Sequence, residues 1–259
     1  MIEDPTKFTV GGERREISVL YSDLAGFTSM IEKSNPAEIL PVLNEYLDGM
    51  CSIALGHGGT IDKIVGDAVV VLFNAPVGQD DHRQRAALCA MEFDKFARAF
   101  QARYREQGIE IGGTRVGVNS GMVTVGNFGG KAFFDYNAHG DAMNTGARLE
   151  SVNKQTGTMV CIAEETMKGV DGMRARPIGR LVLKGKTQGV LTFEPVDHLP
   201  EEQVAAYEAA YGLLKEEHAD APKAFGELAA TYPDDKLVAM HAGRLASGAT
   251  GETIVLKEK

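Results

Sequence analysis

The sequence predicts an α+β fold in which an antiparallel-rich sheet is covered by helices on one face. Three observations support this class. Short apolar runs typical of strands recur along most of the chain, tight turns join some of them in pairs, and long segments with helical apolar spacing separate the pairs. The expected order is strand, helix, hairpin, helix, hairpin, helix, strand.

The first half of the chain predicts a strand, a helix and a hairpin. Residues 16–22 form a short apolar run, and residues 36–55 repeat apolar side chains at helical spacing. Residues 60–65 and 68–73 are strand-like and are separated only by Gly66-Asp67, a two-residue hairpin signal. Asp67 should therefore lie at the tip of a hairpin.

The second half predicts a long helix, another hairpin, a shorter helix and three further strands. The corresponding segments are residues 80–107, 114–119 with 122–127, 141–154, and the neighbourhoods of Met159, Arg180 and Val190. From residue 201 the composition shifts to alanine-rich helix formers, which predicts two or three short antiparallel helices. We expect one α+β domain at residues 1–198 and a C-terminal helical appendage at 199–259, used for packing or dimerisation.

Composition indicates a globular protein with reduced cysteines. The 259 residues are 44% hydrophobic and carry a net charge of −9, which argues against unspecific binding to nucleic acid or to a membrane surface. The longest apolar run, residues 68–73, is far shorter than a membrane-spanning helix requires. Cys51, Cys89 and Cys161 have no metal-site or disulfide-like spacing. We expect a cytoplasmic chain, either free or as the cytosolic part of a longer membrane receptor.

Two carboxylates suggest a metal site. Asp23 ends the first predicted strand, so a hairpin beside that strand would bring Asp67 to the same edge of the sheet. Either residue alone is most often a turn or cap residue, and the joint pattern carries the inference. A pair of oxygen ligands suits Mg²⁺ or Mn²⁺, which also bind substrate phosphates. Backbone N–H groups of the turn after Asp23 would then face a triphosphate, namely those of Ala25, Gly26, Phe27 and Thr28.

Three segments carry a family resemblance. "VLYSDLAGFT", "DKIVGDAVVVLF" and "FFDYNAHGDAMNTGARLE" resemble the signature segments of the class III nucleotidyl cyclases, in the expected order, and the similarity runs from about residue 13 to residue 196. The resemblance implies a ferredoxin-like sheet and conversion of ATP to 3',5'-cyclic AMP and pyrophosphate. It also implies a homodimer whose subunits share each active site.

The resemblance assigns metal and phosphate ligands. Asp23 and Asp67, with the backbone carbonyl of Leu24, would hold two Mg²⁺ or Mn²⁺ ions; one lowers the pKa of the ribose 3'-hydroxyl and the other binds the triphosphate. Asn144 would orient the ribose and Arg148 would contact the phosphates. The two are four residues apart on a predicted helix and so share a face. Lys184 and Lys186 are further phosphate candidates, and Lys186 occupies the position that the family uses.

Two positions bear on the choice of base. Adenylate cyclases of the family carry a lysine where Lys63 lies, and an ammonium can donate to adenine N1 but cannot accept from guanine. Asn137 is the partner position. Its carbonyl could accept from the adenine amino group, whereas its NH₂ group could donate to guanine O6. ATP is favoured, and relaxed base choice with GTP stays open.

Two classes of function remain from the sequence. One is a homodimeric adenylate cyclase, and the other is a non-catalytic relative that binds nucleotide or only dimerises within a signalling receptor. Degenerate relatives usually lose a metal aspartate or the arginine. Asp23, Asp67, Asn144 and Arg148 are all present here, which favours the enzyme.

Overall fold

A computed structural model describes residues 11–33, 35–130, 134–183, 185 and 188–256. Within these residues the chain forms nine strands and eight helices. The strands are β1 (Gly11–Leu24), β2 (Thr60–Val65), β3 (Ala68–Phe73), β4 (Thr114–Gly129), β5 (Phe134–His139), β6 (Val160–Ala163), β7 (Ala175–Val182), β8 (Val190–Pro195) and β9 (Thr253–Val255). The helices are α1 (Phe27–Lys33), α2 (Pro36–Gly56), α3 (His82–Glu106), α4 (Asp141–Thr156), α5 (Glu164–Met167), α6 (Glu201–Lys215), α7 (Ala221–Thr231) and α8 (Lys236–Ala246).

All nine strands belong to one sheet. Its order is β2-β3-β1-β4-β6-β8-β7-β9, and β5 pairs with β4 beside this path. Strands β4 and β6 are parallel, as are β7 and β9, whereas the other neighbouring pairs are antiparallel. The predicted α+β class with an antiparallel-rich sheet is confirmed.

The predicted hairpin at residues 114–119 and 122–127 is wrong, because this segment is the single strand β4. Strand β1 is long enough to pair with it throughout, from Leu24 opposite Thr114 to Gly11 opposite Asn127. Ser120-Gly121, the two residues left between the predicted strands, lie in the middle of this ladder. The chain reverses only after β4, where β5 returns along it.

Helices cover both faces of the sheet, so the expectation of one covered face is wrong. Val19 and Leu20 are successive residues of β1, point to opposite faces, and are both fully buried. Leu20 belongs to a core cluster with α2 and α3. Val19 lies in the cluster on the opposite face, which includes the start of α4. A central strand with two buried faces therefore needs helices on each side.

The hairpin of β2 and β3 matches its predicted bounds and carries one irregularity. Gly66-Asp67 forms the two-residue turn, with Gly66 at φ +63°. The pairing register shifts between Ile61 and Lys63, so Asp62 is an extra residue without a partner across the ladder. Strand β2 is one edge of the sheet.

The C-terminal segment is packed onto the sheet. Leu149 of α4, Ile178 of β7 and Phe225 of α7 belong to one buried cluster. Arg176 of β7 donates two hydrogen bonds to Asp235 at the start of α8, of 2.6 and 2.9 Å. Strand β9, which the sequence did not predict, pairs in parallel with β7.

No helix in the described part of the chain combines the length and hydropathy needed to cross a bilayer.

Candidate active site

Asp23 and Asp67 lie together at the end of β1. The backbone N–H of Leu24 donates a hydrogen bond of 2.7 Å to Asp67 Oδ2, which ties the hairpin tip to the residue after Asp23. Asp67 is 9% exposed, whereas the Asp23 side chain keeps 35% of its surface exposed. Burial raises the pKa of Asp67; the Leu24 N–H lowers it, and the negative charge of Asp23 raises it further. Asp67 is thus a largely buried carboxylate whose surroundings disfavour its negative charge.

Arg115 of β4 supplies a cation beside this pair. It is the residue opposite Asp23 in the β1–β4 ladder, and its guanidinium forms an ion pair with the Asp23 carboxylate. Its Nε donates a hydrogen bond of 2.8 Å to Glu150 Oε1 on α4. Burial raises the pKa of Glu150, and the charge of Asp23 adds to the increase. Arg115 therefore lies between two carboxylates and holds Asp23 against the sheet.

The donor set fits a divalent metal that shares its ligands with a substrate. In the described residues no three His, Cys, Asp or Glu side chains cluster as a closed metal site. Two carboxylates are available at Asp23 and Asp67, and a backbone carbonyl is available at Leu24, the residue that follows Asp23 and whose N–H is hydrogen-bonded to Asp67. Such a short set of oxygen ligands suits Mg²⁺ or Mn²⁺, whose remaining positions are filled by water and phosphate oxygens.

The turn after Asp23 has the predicted shape but offers fewer free amides than expected. Gly26 has φ +76°, a left-handed conformation that favours glycine, and α1 begins at Phe27. The Ala25 N–H donates to the Gly113 carbonyl at 3.0 Å, so it is not free for a phosphate. The Phe27 side chain is 4% exposed within the core, and the side chain of Thr28 lies outside the described part of the structure.

Asn144 and Arg148 lie on the outward side of α4. The helix packs closely on β4, because a Cβ at Gly117 would lie 2.5 Å from the Gly146 carbonyl oxygen. Leu149 is fully buried, whereas Asn144 is exposed and Arg148 is half-buried. Among the described residues, neither Asn144 nor Arg148 makes a side-chain hydrogen bond or an ion pair. Both side chains are available to a ligand or to another subunit.

The residues expected to bind the base lie on β2 and β5. Lys63 is exposed on the edge strand, with its Nζ 3.1 Å from Asp62 Oδ2. Asn137 is half-buried, and its Oδ1 accepts a hydrogen bond of 2.8 Å from the N–H of Ala138. Lys184 and Lys186, the predicted phosphate ligands, lie outside the described residues.

The structure thus brings together the two aspartates and Leu24, and sequence reasoning missed two neighbours of this group. Arg115 and Glu150 have no local motif, and only the register of β1 against β4 and the packing of α4 reveal them. Two cavities lie away from the pair, one of about 450 Å³ at the C-terminal helices and one of about 960 Å³ beside α3.

Comparison with known proteins agrees with this geometry. The model of the adenylate and guanylate cyclase catalytic domain matches residues 11–194. Adenylate cyclase 1 of Rhizobium meliloti is 33% identical over 184 residues, which cover 71% of this chain and 28% of that protein. An adenylate cyclase of Anabaena cylindrica is 31% identical over 185 residues, 70% of this chain and 36% of that protein. The chain therefore spans far less than the full length of these curated relatives.

Two solved structures have the same fold. The adenylyl cyclase CyaB from P. aeruginosa superposes with a TM-score of 0.67 at 33% identity, over 73% of this chain and 97% of that one. The guanylyl cyclase Cya2 superposes with a TM-score of 0.63 at 33% identity, over 74% of this chain and 96% of that one. Sheet, carboxylate pair and sequence similarity lead to one conclusion: the chain belongs to the class III adenylate and guanylate cyclase catalytic domain family.

Proposed function

We propose that the protein is an adenylate cyclase that converts ATP to 3',5'-cyclic AMP and pyrophosphate at sites shared between two copies of the chain. The observation that carries this proposal is the junction of Asp23 and Asp67, joined by the Leu24 N–H at the end of the central strand. In the reaction the ribose 3'-oxygen bonds to the α-phosphorus. The bond from that phosphorus to pyrophosphate breaks, and the hydroxyl proton is released.

The carboxylate pair would hold two Mg²⁺ or Mn²⁺ ions per site, through Asp23, Asp67 and the Leu24 carbonyl. When bound, such ions lower the pKa of the 3'-hydroxyl and neutralise the triphosphate. Arg115 would keep Asp23 in position, since its guanidinium is itself anchored by Glu150. The rigid ladder of β1 and β4 fixes the spacing of this group before substrate arrives.

The remaining contacts to the ribose and the phosphates would come from three other segments. Arg148 would stabilise charge on the phosphates, a task that suits a planar guanidinium, and Asn144 would orient the ribose. Lys186 and the turn amides of Gly26, Phe27 and Thr28 would bind the triphosphate. The Ala25 N–H would contribute only through the turn that it stabilises with Gly113.

A homodimer would complete the site. Asn144 and Arg148 have no side-chain partner in the described part of one chain, and the exposed side of Asp23 is open. A symmetric dimer that places α4 of one protomer over the carboxylates of the other would create two equivalent sites at one interface. Exposed Ile64 and Val65 on the edge strand β2, at 46% and 62%, provide apolar surface for such an interface.

ATP is the substrate that Lys63 favours, and Asn137 supports GTP as a second candidate. The carbonyl oxygen of Asn137 accepts from the Ala138 N–H, which leaves its NH₂ group as the free end. A donor at that position matches guanine O6 rather than the adenine amino group. A guanylyl cyclase among the similar structures is in line with this alternative.

We assign catalysis to residues 1–198 and a supporting role to the helical appendage at 199–259. The family match ends at residue 194, and the appendage packs against Leu149 and Val152 of α4. It would therefore steady the helix that carries Asn144 and Arg148. A cyclase that uses ATP would need the ATP pool of the cytoplasm, which favours a cytoplasmic location. The net charge of −9 argues against nucleic-acid or membrane-surface partners.

Product analysis tests the proposal directly. Purified protein is incubated with ATP or GTP, each with Mg²⁺ or Mn²⁺, and cyclic nucleotide and pyrophosphate are quantified. We expect cyclic AMP and pyrophosphate in equal amounts, a smaller yield of cyclic GMP, and no product from an Asp23→Asn variant. Absence of any cyclic nucleotide under all four conditions would overturn the assignment.

A further inference from the structure

Asp62 is a buried carboxylate to which the proposed chemistry gives no role. It is the extra residue of the bulge in β2, and its side chain has no exposed surface, whereas the adjacent Lys63 side chain is 43% exposed. Among the described residues, neither Asp62 oxygen has a hydrogen-bond partner. The Lys63 ammonium lies 3.1 Å from Oδ2 but outside hydrogen-bond alignment, so the contact is an ion pair.

The other groups around Asp62 do not replace Lys63. Burial raises the pKa of Asp62; the Lys63 ammonium opposes this through its close contact and its charge, Asp135 of β5 adds to it, and His139 opposes it more weakly. Tyr21 of β1 also faces this carboxylate. The pKa of Tyr21 is raised to about 12, mainly by burial and in smaller part by the negative charge of Asp62. A buried carboxylate without hydrogen bonds is costly unless a cation compensates it. Lys63 is the nearest such cation, so the pair restrains its ammonium.

Restraint of this ammonium has a consequence for base choice. An ammonium only donates hydrogen bonds, and it can donate to adenine N1 or equally to guanine O6. A freely moving lysine would therefore serve either purine. A lysine held at one point serves the purine whose acceptor lies at that point, and the other base must shift within the site or lose the bond.

We propose that Asp62 is a positioning residue that holds the Lys63 ammonium at one point, and that this buried carboxylate thereby sets the preference for ATP over GTP. The inference rests on the proposed function, in which Lys63 contacts the nucleobase. The bulge in β2 allows the side chains of Asp62 and Lys63 to come into contact. In a regular strand Asp62 and Lys63 would point to opposite faces, whereas the extra residue lets the two side chains meet.

The test compares Asp62→Asn with Lys63→Ala and with the double variant. Asparagine keeps the shape of Asp62 and removes its charge, and no hydrogen bond to the described residues is lost because none is present. Asp135→Asn is the matched control, since it removes a nearby exposed carboxylate that has no ion pair with Lys63 among the described residues. Non-hydrolysable ATP and GTP analogues are titrated by equilibrium binding, and KM and kcat are measured for both nucleotides.

We expect Asp62→Asn to lower the ATP-to-GTP affinity ratio roughly tenfold, about the effect of one hydrogen bond to a charged group. The change should appear in KM, with kcat for ATP within about twofold and an unchanged melting temperature. Asp135→Asn should leave the ratio unchanged. In the Lys63→Ala background, Asp62→Asn should have no further effect, because the carboxylate acts through the lysine.

Other outcomes would overturn the inference. An unchanged ratio in Asp62→Asn contradicts it, and so does an equal shift in the presence and absence of Lys63. A lower melting temperature with equal losses for both nucleotides would indicate a structural role only. If Lys63→Ala leaves the ratio unchanged, base recognition by Lys63 fails and the inference fails with it. If the wild type makes no cyclic nucleotide, the proposed activity fails, while the binding ratios still decide the role of Asp62.

Discussion

Replacing Asp67 by asparagine should abolish cyclisation without weakening the fold. The carbonyl oxygen of the new asparagine can still accept the hydrogen bond that the Leu24 N–H donates to Asp67 at 2.7 Å. The substitution also removes a charge that burial disfavours. Asp67→Ala differs, because it leaves the buried Leu24 N–H without an acceptor at a cost of about 1–3 kcal/mol. For a chain of this size each kcal/mol corresponds to a fall of roughly 2–4 °C in melting temperature.

Activity should report the loss of the metal ligand separately from stability. A metal ion contributes several kcal/mol to the transition state, so we expect turnover to fall at least about 100-fold in both variants. Cyclic nucleotide formation is measured with excess Mg²⁺ or Mn²⁺, and melting temperature by scanning fluorimetry. Asp48→Asn, at an exposed position on α2, serves as the matched control and should behave as wild type. Turnover near wild type in Asp67→Asn would refute the two-metal assignment.

Three further variants test the base, the appendage and a buried histidine. Lys63→Glu should shift the kcat/KM ratio from ATP towards GTP, since a carboxylate accepts from guanine and cannot donate to adenine N1; an unchanged ratio would remove Lys63 from base recognition. Phe225→Ala should lower the free energy of unfolding by about 3–5 kcal/mol, because this fully buried ring lies in the cluster shared with α4. Urea denaturation measures the effect, and an unchanged urea midpoint would contradict that packing. Burial lowers the pKa of His241 from 6.5 to about 3, so the buried neutral imidazole contributes fully to the free energy of unfolding above pH 6.5. Between pH 6.5 and pH 3 this contribution should fall by about 1.4 kcal/mol for each pH unit, because only the unfolded state binds the proton. His241→Gln should lose that contribution to the slope, and an equally steep curve would show that other groups cause it.

Local signals predicted the parts of the fold that local chemistry determines. Gly66-Asp67 can form a two-residue turn without help from the rest of the chain, and the hairpin has its predicted bounds. Ser120-Gly121 carries a similar signal, yet the long partner β1 keeps it extended within β4. Sequence could not show this, because the competing pairing comes from residues about a hundred positions earlier.

The candidate site likewise contains residues that local signals predict and residues that only the tertiary structure reveals. Asp23 and Asp67 were predictable because strand ends and hairpin tips bring them to one edge of the sheet. Arg115 depends on a register that sequence does not reveal, and Glu150 depends on how α4 packs. Asp62 was missed because a bulge, rather than strand alternation, determines where its side chain lies. Strand β9 has only three residues, too few for a periodic pattern to identify.

Subunit complementation tests most directly the claim that two chains share each cyclase site. Asp23→Ala removes a metal ligand, and Arg148→Ala removes the proposed phosphate contact on α4, so each protein alone should be inactive. After subunit exchange, about half of the dimers are mixed, and each mixed dimer has one intact site of two. We predict recovery of about a quarter of wild-type activity at equal total protein, if reassortment is random and the sites are independent. If a tagged pull-down confirms exchange and the mixture stays inactive, the shared-site account is contradicted.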